Sequence, residues 1–258
     1  MKNKGLMGTA AGLAILAQCA VSALAQSADD TVATSKGALE IHAIHHASLM
    51  LSWNGKHVLV DPAPVSDAGD PTAGYAQLPK PDAIVITHIH GDHFSVPVLE
   101  AVAGVKTVIV APQNVYDAMP ADLKAKTRVI KNGERETVDS IPIEAVPAYN
   151  TTPERMKFHP KGNGNGYVLG FGDKRIYIAG DTEETPELSK LPHIDVAFIP
   201  MNLPYTETVE AAAKWVKDFK PGVVYPYHYH NADGTLSDVA VFKSQVGSAS
   251  DVRLLKWY

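Results

Sequence analysis

The segment at residues 87–93 reads Thr-His-Ile-His-Gly-Asp-His and constrains this chain more than any other part of it. The apolar run at residues 83–86 precedes it and predicts a short buried strand. Several polar side chains directly after a buried strand are costly to crowd together without a partner. Imidazole nitrogens and a carboxylate oxygen are ligands that suit zinc or a similar divalent ion. The segment therefore predicts a metal site at the end of a strand.

The spacing within this segment predicts two neighbouring metal ions. Side chains alternate along extended backbone, so His88 and His90 are expected to point the same way. Gly91 is expected to let the chain turn sharply, which would bring Asp92 and His93 to a neighbouring point. One ion would then take the first two histidines, and the other would take the aspartate and the third histidine.

Residues 1–25 have the pattern of a secretory signal peptide. Lys2 and Lys4 precede a mostly apolar stretch at residues 6–20, and Ala23-Leu24-Ala25 is a small-x-small cleavage signal. This pattern predicts a periplasmic or secreted protein, cleaved after Ala25, with no stable membrane anchor after processing. Residues 26–38 are polar and small, and they predict a flexible start to the mature chain.

Cysteine content and charge narrow the possible functions. Cys19 is the only cysteine of the 258 residues and lies within the predicted leader. The mature chain would therefore form no disulfide and would offer no thiolate to a metal. The net charge is −5, and no basic run is interleaved with aromatic residues, which argues against nucleic-acid binding. The oligomeric state stays open.

Residues 39–258 predict one domain. Asn54-Gly55 and Gly172-Asp173 predict hairpin turns, and strands alternate with helices after each of them. Thr185 and Thr206 are expected to begin helices as N-caps. No Pro/Gly/Ser-rich linker divides the segment, so we expect two packed β-sheets with helices outside.

Residues 87–93 resemble the T-H-x-H-x-D-H signature of the metallo-β-lactamase superfamily. Gly180-Asp181 after a hairpin and His228 at the end of a predicted strand match later segments of that family in order. The resemblance extends from about residue 39 to the C-terminus. It implies an α+β fold, a four-layer αβ/βα sandwich of two mixed β-sheets with outer helices, and a metal site at one edge between the sheets.

The resemblance also implies a set of ligands. His88 and His90 would hold the first ion, and His93 and His228 would hold the second together with Asp92. Asp181 would bridge both ions, because the two oxygens of a carboxylate can span metals about 3.5–4 Å apart.

The chain departs from the family pattern at the first ion. The family usually supplies a third histidine there, but the matching stretch at residues 146–150 contains none. His159 is the only histidine between the signature and Asp181. Either His159 reaches the site, or Asn150 or water fills the position, or the first ion binds weakly; His159 is slightly favoured.

The N-terminal His46-Ala47-Ser48 resembles the start of a branch that includes L-ascorbate-6-phosphate lactonase and related hydrolases. His46 itself is expected to line the pocket, to lie in the core or to support a metal ligand. Zinc β-lactamases commonly use cysteine or lack the bridging aspartate, so β-lactam hydrolysis is not the favoured activity for this chain.

These observations predict a periplasmic, zinc-dependent hydrolase with a binuclear site. Two cations would lower the pKa of a shared water, and the resulting hydroxide would attack a lactone or another small-molecule ester. Asp92 would hold the nucleophile and accept a proton. A phosphodiester and a β-lactam are alternative substrates, and Mn²⁺ or Fe²⁺ would also accept nitrogen and oxygen ligands. A non-catalytic metal-binding protein of the periplasm, with an incomplete first site, is the alternative of another class.

Overall fold

The computed structural model describes residue 1, residues 27–65 and residues 69–258. The predicted leader lies outside these described residues apart from Met1. None of the helices in the described part of the chain has the length and apolarity that a membrane span requires.

In the described part of the chain, fourteen strands form two seven-stranded sheets. The strands of the first sheet, in chain order and in spatial order, are β1 (Asp29–Thr34), β2 (Gly37–His45), β3 (Ser48–Trp53), β4 (Lys56–Val60), β5 (Ala83–Val85), β6 (Val108–Ala111) and β7 (Thr127–Val129). The strands of the second sheet are β8 (Arg135–Val138), β9 (Ile141–Ala148), β10 (Gly164–Phe171), β11 (Lys174–Ile178), β12 (Val196–Pro200), β13 (Val223–Tyr227) and β14 (Asp251–Val252). The helices are α1 (Val96–Val102), α2 (Gln113–Ala118), α3 (Ala121–Lys124), α4 (Val209–Phe219) and α5 (Val239–Val246).

The two halves of the chain repeat one pairing scheme. Strands β1 to β4 pair antiparallel, and β4 to β7 pair parallel. Strands β8 to β11 pair antiparallel in the same way, and β11 to β14 pair parallel. The amino-acid sequence shows no such repeat. This architecture confirms the predicted α+β sandwich of two mixed sheets.

Alternating side chains hold the layers together. In β3, Leu49 and Leu51 are buried in a core that both sheets share, whereas Met50 faces the other way, into a cluster with α1, α2 and α3. Strand β4 follows the same rule, with Leu59 on the helix side. On the second sheet, Trp215 of α4 and the residues of α5 close the shared core. A strand covered on both faces loses the alternation of polar and apolar residues, which explains the continuous apolar runs.

Both predicted hairpin turns are confirmed. Asn54 and Gly55 connect β3 to β4, and both have a positive φ, of 50° and 72°, as a two-residue hairpin turn with Asn-Gly requires. Gly172-Asp173 connects β10 to β11, and here only Gly172 has a positive φ, of 64°.

Three local predictions were wrong. Residues 29–34, expected to be flexible, form β1, in which Asp30 accepts a hydrogen bond from the Tyr225 hydroxyl at 2.7 Å. Thr185 begins no α-helix, and only a short 3-10 turn, Leu188–Lys190, follows it. Helix α4 is capped by Thr208, because the Thr206 hydroxyl is already engaged with the backbone N–H of Asn202.

Candidate metal centre

Most of the site residues lie at the carboxyl ends of parallel strands from both sheets. Asp61 directly follows β4, and residues 87–93 follow β5 in the first sheet. Asp181 follows β11 and His228 follows β13 in the second sheet. Because the carboxyl ends of parallel strands meet at one edge, side chains from distant parts of the chain converge there.

The backbone between His88 and His93 is a compact turn. The carbonyl oxygen of His90 accepts hydrogen bonds from the backbone N–H of His93 at 3.0 Å and of Phe94 at 2.9 Å. Gly91 does not have the left-handed backbone that favours glycine, and a Cβ there would meet nothing within 4 Å. The expectation that this glycine permits the turn is therefore wrong.

Gly180 is the glycine that the site requires. Its φ is 67°, and a Cβ at this position would lie 2.9 Å from the Cβ of Thr87. This close approach of two strand ends brings Asp181 next to the 87–93 segment. Tyr227 fixes the same point, because its hydroxyl accepts a hydrogen bond from the backbone N–H of Gly180 at 2.8 Å.

Three histidines form the first cluster. One nitrogen from each of His88, His90 and His159 lies within 4.8 Å of the others. His159 comes from the connection between β9 and β10, and its Nδ1 faces the carbonyl oxygen of Tyr205 at 3.2 Å. A carbonyl can only accept, so Nδ1 carries the proton, and the lone pair of Nε2 is left for the cluster. The structure thus places His159 beside His88 and His90.

Asn150 supports this cluster from outside. Its side-chain nitrogen donates to the carbonyl oxygens of Tyr205 at 2.7 Å and Arg155 at 3.0 Å, and its backbone N–H donates to the carbonyl of His159 at 2.9 Å. These bonds tie together the two loops that hold His159. Of the two alternatives for the missing ligand within the chain, the geometry favours His159 over Asn150.

The second cluster surrounds Asp92, His93 and His228. The Nε2 atom of His228 lies 3.2 Å from the Oδ2 atom of Asp92, and the Nε2 atom of His93 lies 4.0 Å from the same oxygen. His93 and His228 are almost fully buried, whereas 43% of the Asp92 side chain is exposed. Asp92 is therefore the open side of this cluster.

Asp181 lies between the two clusters. Its Oδ1 atom is 3.3 Å from Nε2 of both His93 and His228, and its Oδ2 atom is 3.4 Å from Nε2 of His159. One carboxylate thus presents one oxygen to each cluster. This is the arrangement that a bridging ligand requires.

Asp61 was not predicted to take part in the site. This fully buried carboxylate accepts hydrogen bonds from the backbone N–H and the hydroxyl of Thr87, both at 2.7 Å, and from Nδ1 of His93 at 2.8 Å. The sequence does contain a signal for it. Asp61 directly follows the buried strand β4, and β4 is the strand before β5, which leads into residues 87–93.

These bonds determine which histidine nitrogens face the site. His93 must donate from Nδ1 to the Asp61 carboxylate, so its Nε2 is left with a lone pair. Because the Thr87 hydroxyl donates to Asp61, the Nδ1 atom of His88, at 3.0 Å from it, donates to that hydroxyl. The Nε2 atoms of both histidines are thereby left to face the metal centre.

His46 packs against the second cluster from the first sheet. Its Nε2 atom lies 3.7 Å from Oδ2 of Asp92, and its ring lies 4.4 Å from that of His228. Its backbone is left-handed, with a φ of 56°, and its carbonyl accepts a hydrogen bond from the backbone N–H of His228. Burial and the neighbouring His228 lower the pKa of His46 to about 3, so its ring is neutral.

Burial and charge together fit a cation. Burial opposes ionisation of Asp181, but His228 and His93 hold its pKa well below the usual range. Burial lowers the pKa of His88 well below that of a free histidine, which favours the neutral ligand form. Burial also lowers the pKa of His93, but Asp181, Asp92 and Asp61 outweigh it and raise that pKa well above the usual value. The carboxylates thus attract positive charge to this point, which a metal ion would supply in place of the proton.

Several buried polar atoms here have no hydrogen-bond partner in the described part of the chain. They are Nε2 of His93, His159 and His228 and Oδ1 of Asp181. Buried polar atoms are rarely left unsatisfied, and four around one point indicate a missing partner. Nitrogen and oxygen donors of this kind fit a divalent ion such as zinc.

Comparisons with known proteins agree with the fold and the site. A family model described as a beta-lactamase superfamily domain matches residues 40–228. A UPF0173 metal-dependent hydrolase of Pyrococcus abyssi is 30% identical over 229 residues, which cover 84% of this chain and 96% of the relative.

Solved structures show the same relationship. A candidate metal-dependent hydrolase from Parabacteroides distasonis is 42% identical, with a TM-score of 0.77 over 88% of this chain and 99% of that one. Igni18, a metallo hydrolase of Ignicoccus hospitalis, shares the fold at 23% identity, with a TM-score of 0.69 over 84% and 95% of the two chains.

Fold and site together define a metal-dependent hydrolase. The chain belongs to the metallo-β-lactamase superfamily. The relatives above are described only as metal-dependent or metallo hydrolases, so the lactonase-like branch stays a prediction.

Proposed function

We propose that this protein is an exported hydrolase of small esters or lactones that works with two divalent ions, most readily zinc. One observation carries the proposal: Asp181 presents one oxygen to His159 of the first cluster and the other to His93 and His228 of the second. Export rests on the predicted leader, and the extent of the mature domain, residues 39–258, rests on the sequence pattern. We expect β1 to belong to the same domain.

The two clusters differ in their proposed ligands. His88, His90 and His159 would hold the first ion, and Asp92, His93 and His228 would hold the second, with Asp181 shared. Bound divalent ions supply Lewis acidity and lower the pKa of a water ligand. Iron or manganese would also accept these nitrogen and oxygen donors, so metal analysis is part of the test.

Asp92 is the residue that we expect to act on the nucleophile. Its side chain is 43% exposed, and its Oδ2 atom lies 3.2 Å from Nε2 of His228 and 3.7 Å from Nε2 of His46. Burial would raise its pKa, but His93 and His228 lower it overall, so the carboxylate is ionised. An ionised carboxylate at the open side of the site can orient a water molecule and accept its proton.

The alternative of a non-catalytic metal-binding protein was motivated by the missing third histidine. His159 lies within 4.8 Å of His88 and His90 in the structure, so that motive is weakened. A phosphodiester and a β-lactam are the competing substrates within the hydrolase class, and they belong in the same panel.

The test combines metal analysis with a substrate panel. The mature chain is purified, its metal content is measured by mass spectrometry, and aryl esters, lactones, phosphodiesters and β-lactams are assayed with and without a chelator. We expect two ions per chain and chelator-sensitive ester or lactone hydrolysis. A His88→Ala/His93→Ala double variant that retained full ester hydrolysis would refute the proposal.

A further inference from the structure

Two cavities border the first cluster, and they differ in size. They are called hollows below. A narrow pocket of about 50 Å³ lies beside His88, His90 and His159, and it is lined further by Ile89 and Phe158. A wide cleft of about 310 Å³ borders His90, Asp92, His159 and Asp181. The pocket has room for a group of only a few heavy atoms, whereas the cleft can take a larger one.

An aromatic pair lines the two hollows. Phe158 lines both, and its ring packs edge-to-face against that of Tyr205 at 5.1 Å. Tyr205 lines the wide cleft and is 37% exposed, and Ile89 in the pocket is 40% exposed. Exposed apolar side chains beside a polar cluster are the usual signature of a ligand site.

Positive side chains are absent from the linings. Among the described residues that line either hollow, none is lysine or arginine, and the polar residues beyond the two clusters are amides and hydroxyls. Nearby cations have other partners, because Arg155 pairs with Glu183 at 2.7 Å and Lys161 with Glu187 at 2.6 Å. Lys157 is the exception at the rim, where its ammonium lies 5.0 Å from the centre of the Phe158 ring.

We propose that these hollows select an uncharged ester with a short acyl group, which enters the narrow pocket, and an apolar or aromatic alcohol portion, which lies in the wide cleft against Phe158 and Tyr205. The inference rests on the proposed function, because it assigns the substrate of the same centre. Away from the proposed ions, a charged end on the acyl group or on the alcohol portion would find no lysine or arginine in either lining, and its desolvation would go uncompensated.

The first experiment varies the substrate. Rates are measured with p-nitrophenyl acetate, butyrate and octanoate, with the mono-p-nitrophenyl ester of succinate and with bis-p-nitrophenyl phosphate. We expect kcat/KM for the acetate to exceed that for the octanoate and for the succinate at least tenfold. Equal rates for the acetate and the succinate would overturn the inference. Hydrolysis of none of these esters would instead count against the proposed function.

The second experiment varies the aromatic wall. Phe158→Ala is expected to raise KM for the acetate about tenfold with little change in kcat, since the wall touches the substrate and not the reacting atoms. Lys157→Met keeps the length of the neighbouring side chain and removes its charge, and it should leave all rates unchanged. A selective loss of succinate or phosphate ester hydrolysis in Lys157→Met would show that the rim cation recognises an anion.

A binding measurement separates recognition from catalysis. Acetophenone, an aryl methyl ketone that cannot be hydrolysed as an ester, is titrated into the metal-free chain and followed by NMR line broadening. The wild-type chain should broaden its signals, and Phe158→Ala should not. Equal broadening by both proteins would contradict the assignment of Phe158, whatever the activity of the loaded enzyme.

Discussion

Asp61 determines the orientation of the residues around it. It accepts from three donors without touching the open side of the site, and through His93 it decides which imidazole nitrogen faces the centre. Carboxylates that hold metal-ligating histidines in this way raise the basicity of the ligand and fix its tautomer. The strength of metal binding therefore depends on a residue that binds no metal itself.

Asp61→Asn should weaken metal affinity by roughly 10- to 100-fold, the range typical for such supporting residues. The new amide can still accept from the backbone of Thr87, but its NH₂ group would face the donating nitrogen of His93. Competition with a chromophoric chelator measures the affinity. Asp82→Asn is the matched control, because Asp82 also accepts a backbone hydrogen bond between β4 and β5, but at the opposite end of β5. Equal affinity in Asp61→Asn and wild type would contradict the role.

His159→Ala should reduce the metal content from two ions to about one per chain. The first cluster would then keep only His88 and His90, while the second cluster would stay complete. Mass spectrometry of the purified variant measures the stoichiometry. His193→Ala is the control, because His193 is exposed and belongs to none of the candidate metal groups found among the described residues. Two tightly held ions in His159→Ala would show that another group completes the first cluster.

At the scale of elements, the segment before α4 contains a buried acid away from the metal centre. Glu207 is 3% exposed, and its carboxylate accepts a hydrogen bond from the backbone N–H of Glu184. Burial raises its pKa to about 8, and the nearby Glu183 and Glu184 add to the effect. The acid is therefore protonated in the folded chain at neutral pH and ionised in the unfolded chain.

This difference predicts a loss of stability as pH rises. The folded pKa exceeds the unfolded value of 4.5, so the contribution is complete below about pH 4.5 and declines until about pH 8. Within that window the slope is about 1.4 kcal/mol per pH unit for one proton. Glu207→Gln cannot ionise. Its free energy of unfolding, measured with urea, should therefore rise relative to that of wild type between pH 5 and pH 8. Parallel curves for the two proteins would contradict the shift.

The elements also show what the sequence could not reveal. Residues 29–34 alternate between exposed and half-buried positions, and their polar composition gives no apolar stripe, so β1 is defined by partners such as Tyr225, nearly two hundred residues away. Thr206 and Thr208 are both suitable N-caps, because threonine is a residue type favoured at that position. Only the turn at Asn202, which takes the first hydroxyl, decides between them.

The site was more predictable than its surroundings. The clustered histidines and aspartate are recognisable because they lie within one short segment. Asp181 and His228 are recognisable because they follow predicted strand ends. Asp61 and the loop that carries His159 are positioned by contacts across the fold, and a single sequence contains no pattern for such contacts. Asn150 entered the prediction as a substitute ligand, whereas the structure uses its amide to tie loops together.

At the scale of the whole molecule, the proposed ions would join the two sheets. Removal of the metal should lower the melting temperature by roughly 10 °C, because ligand at a thousandfold excess over its Kd adds about 4 kcal/mol and 1 kcal/mol shifts Tm by about 2–4 °C in a chain of this size. Calorimetry with and without chelator measures the shift. The His88→Ala/His93→Ala double variant should melt at one temperature in both conditions. A chelator shift of the same size in that variant would place the stabilising ions elsewhere.

The division of the chain into two sheets has a consequence for how the protein matures. The first half supplies His88, His90, Asp92 and His93, whereas His159, Asp181 and His228 belong to the second. If the chain is exported as proposed, it could hold a cation only loosely until the last of these residues has crossed the membrane. For the same reason, a backbone cut in the turn at Gly133, between β7 and β8, would yield two inactive fragments. Zinc would favour association of the two fragments, so recovery of hydrolysis would measure that association.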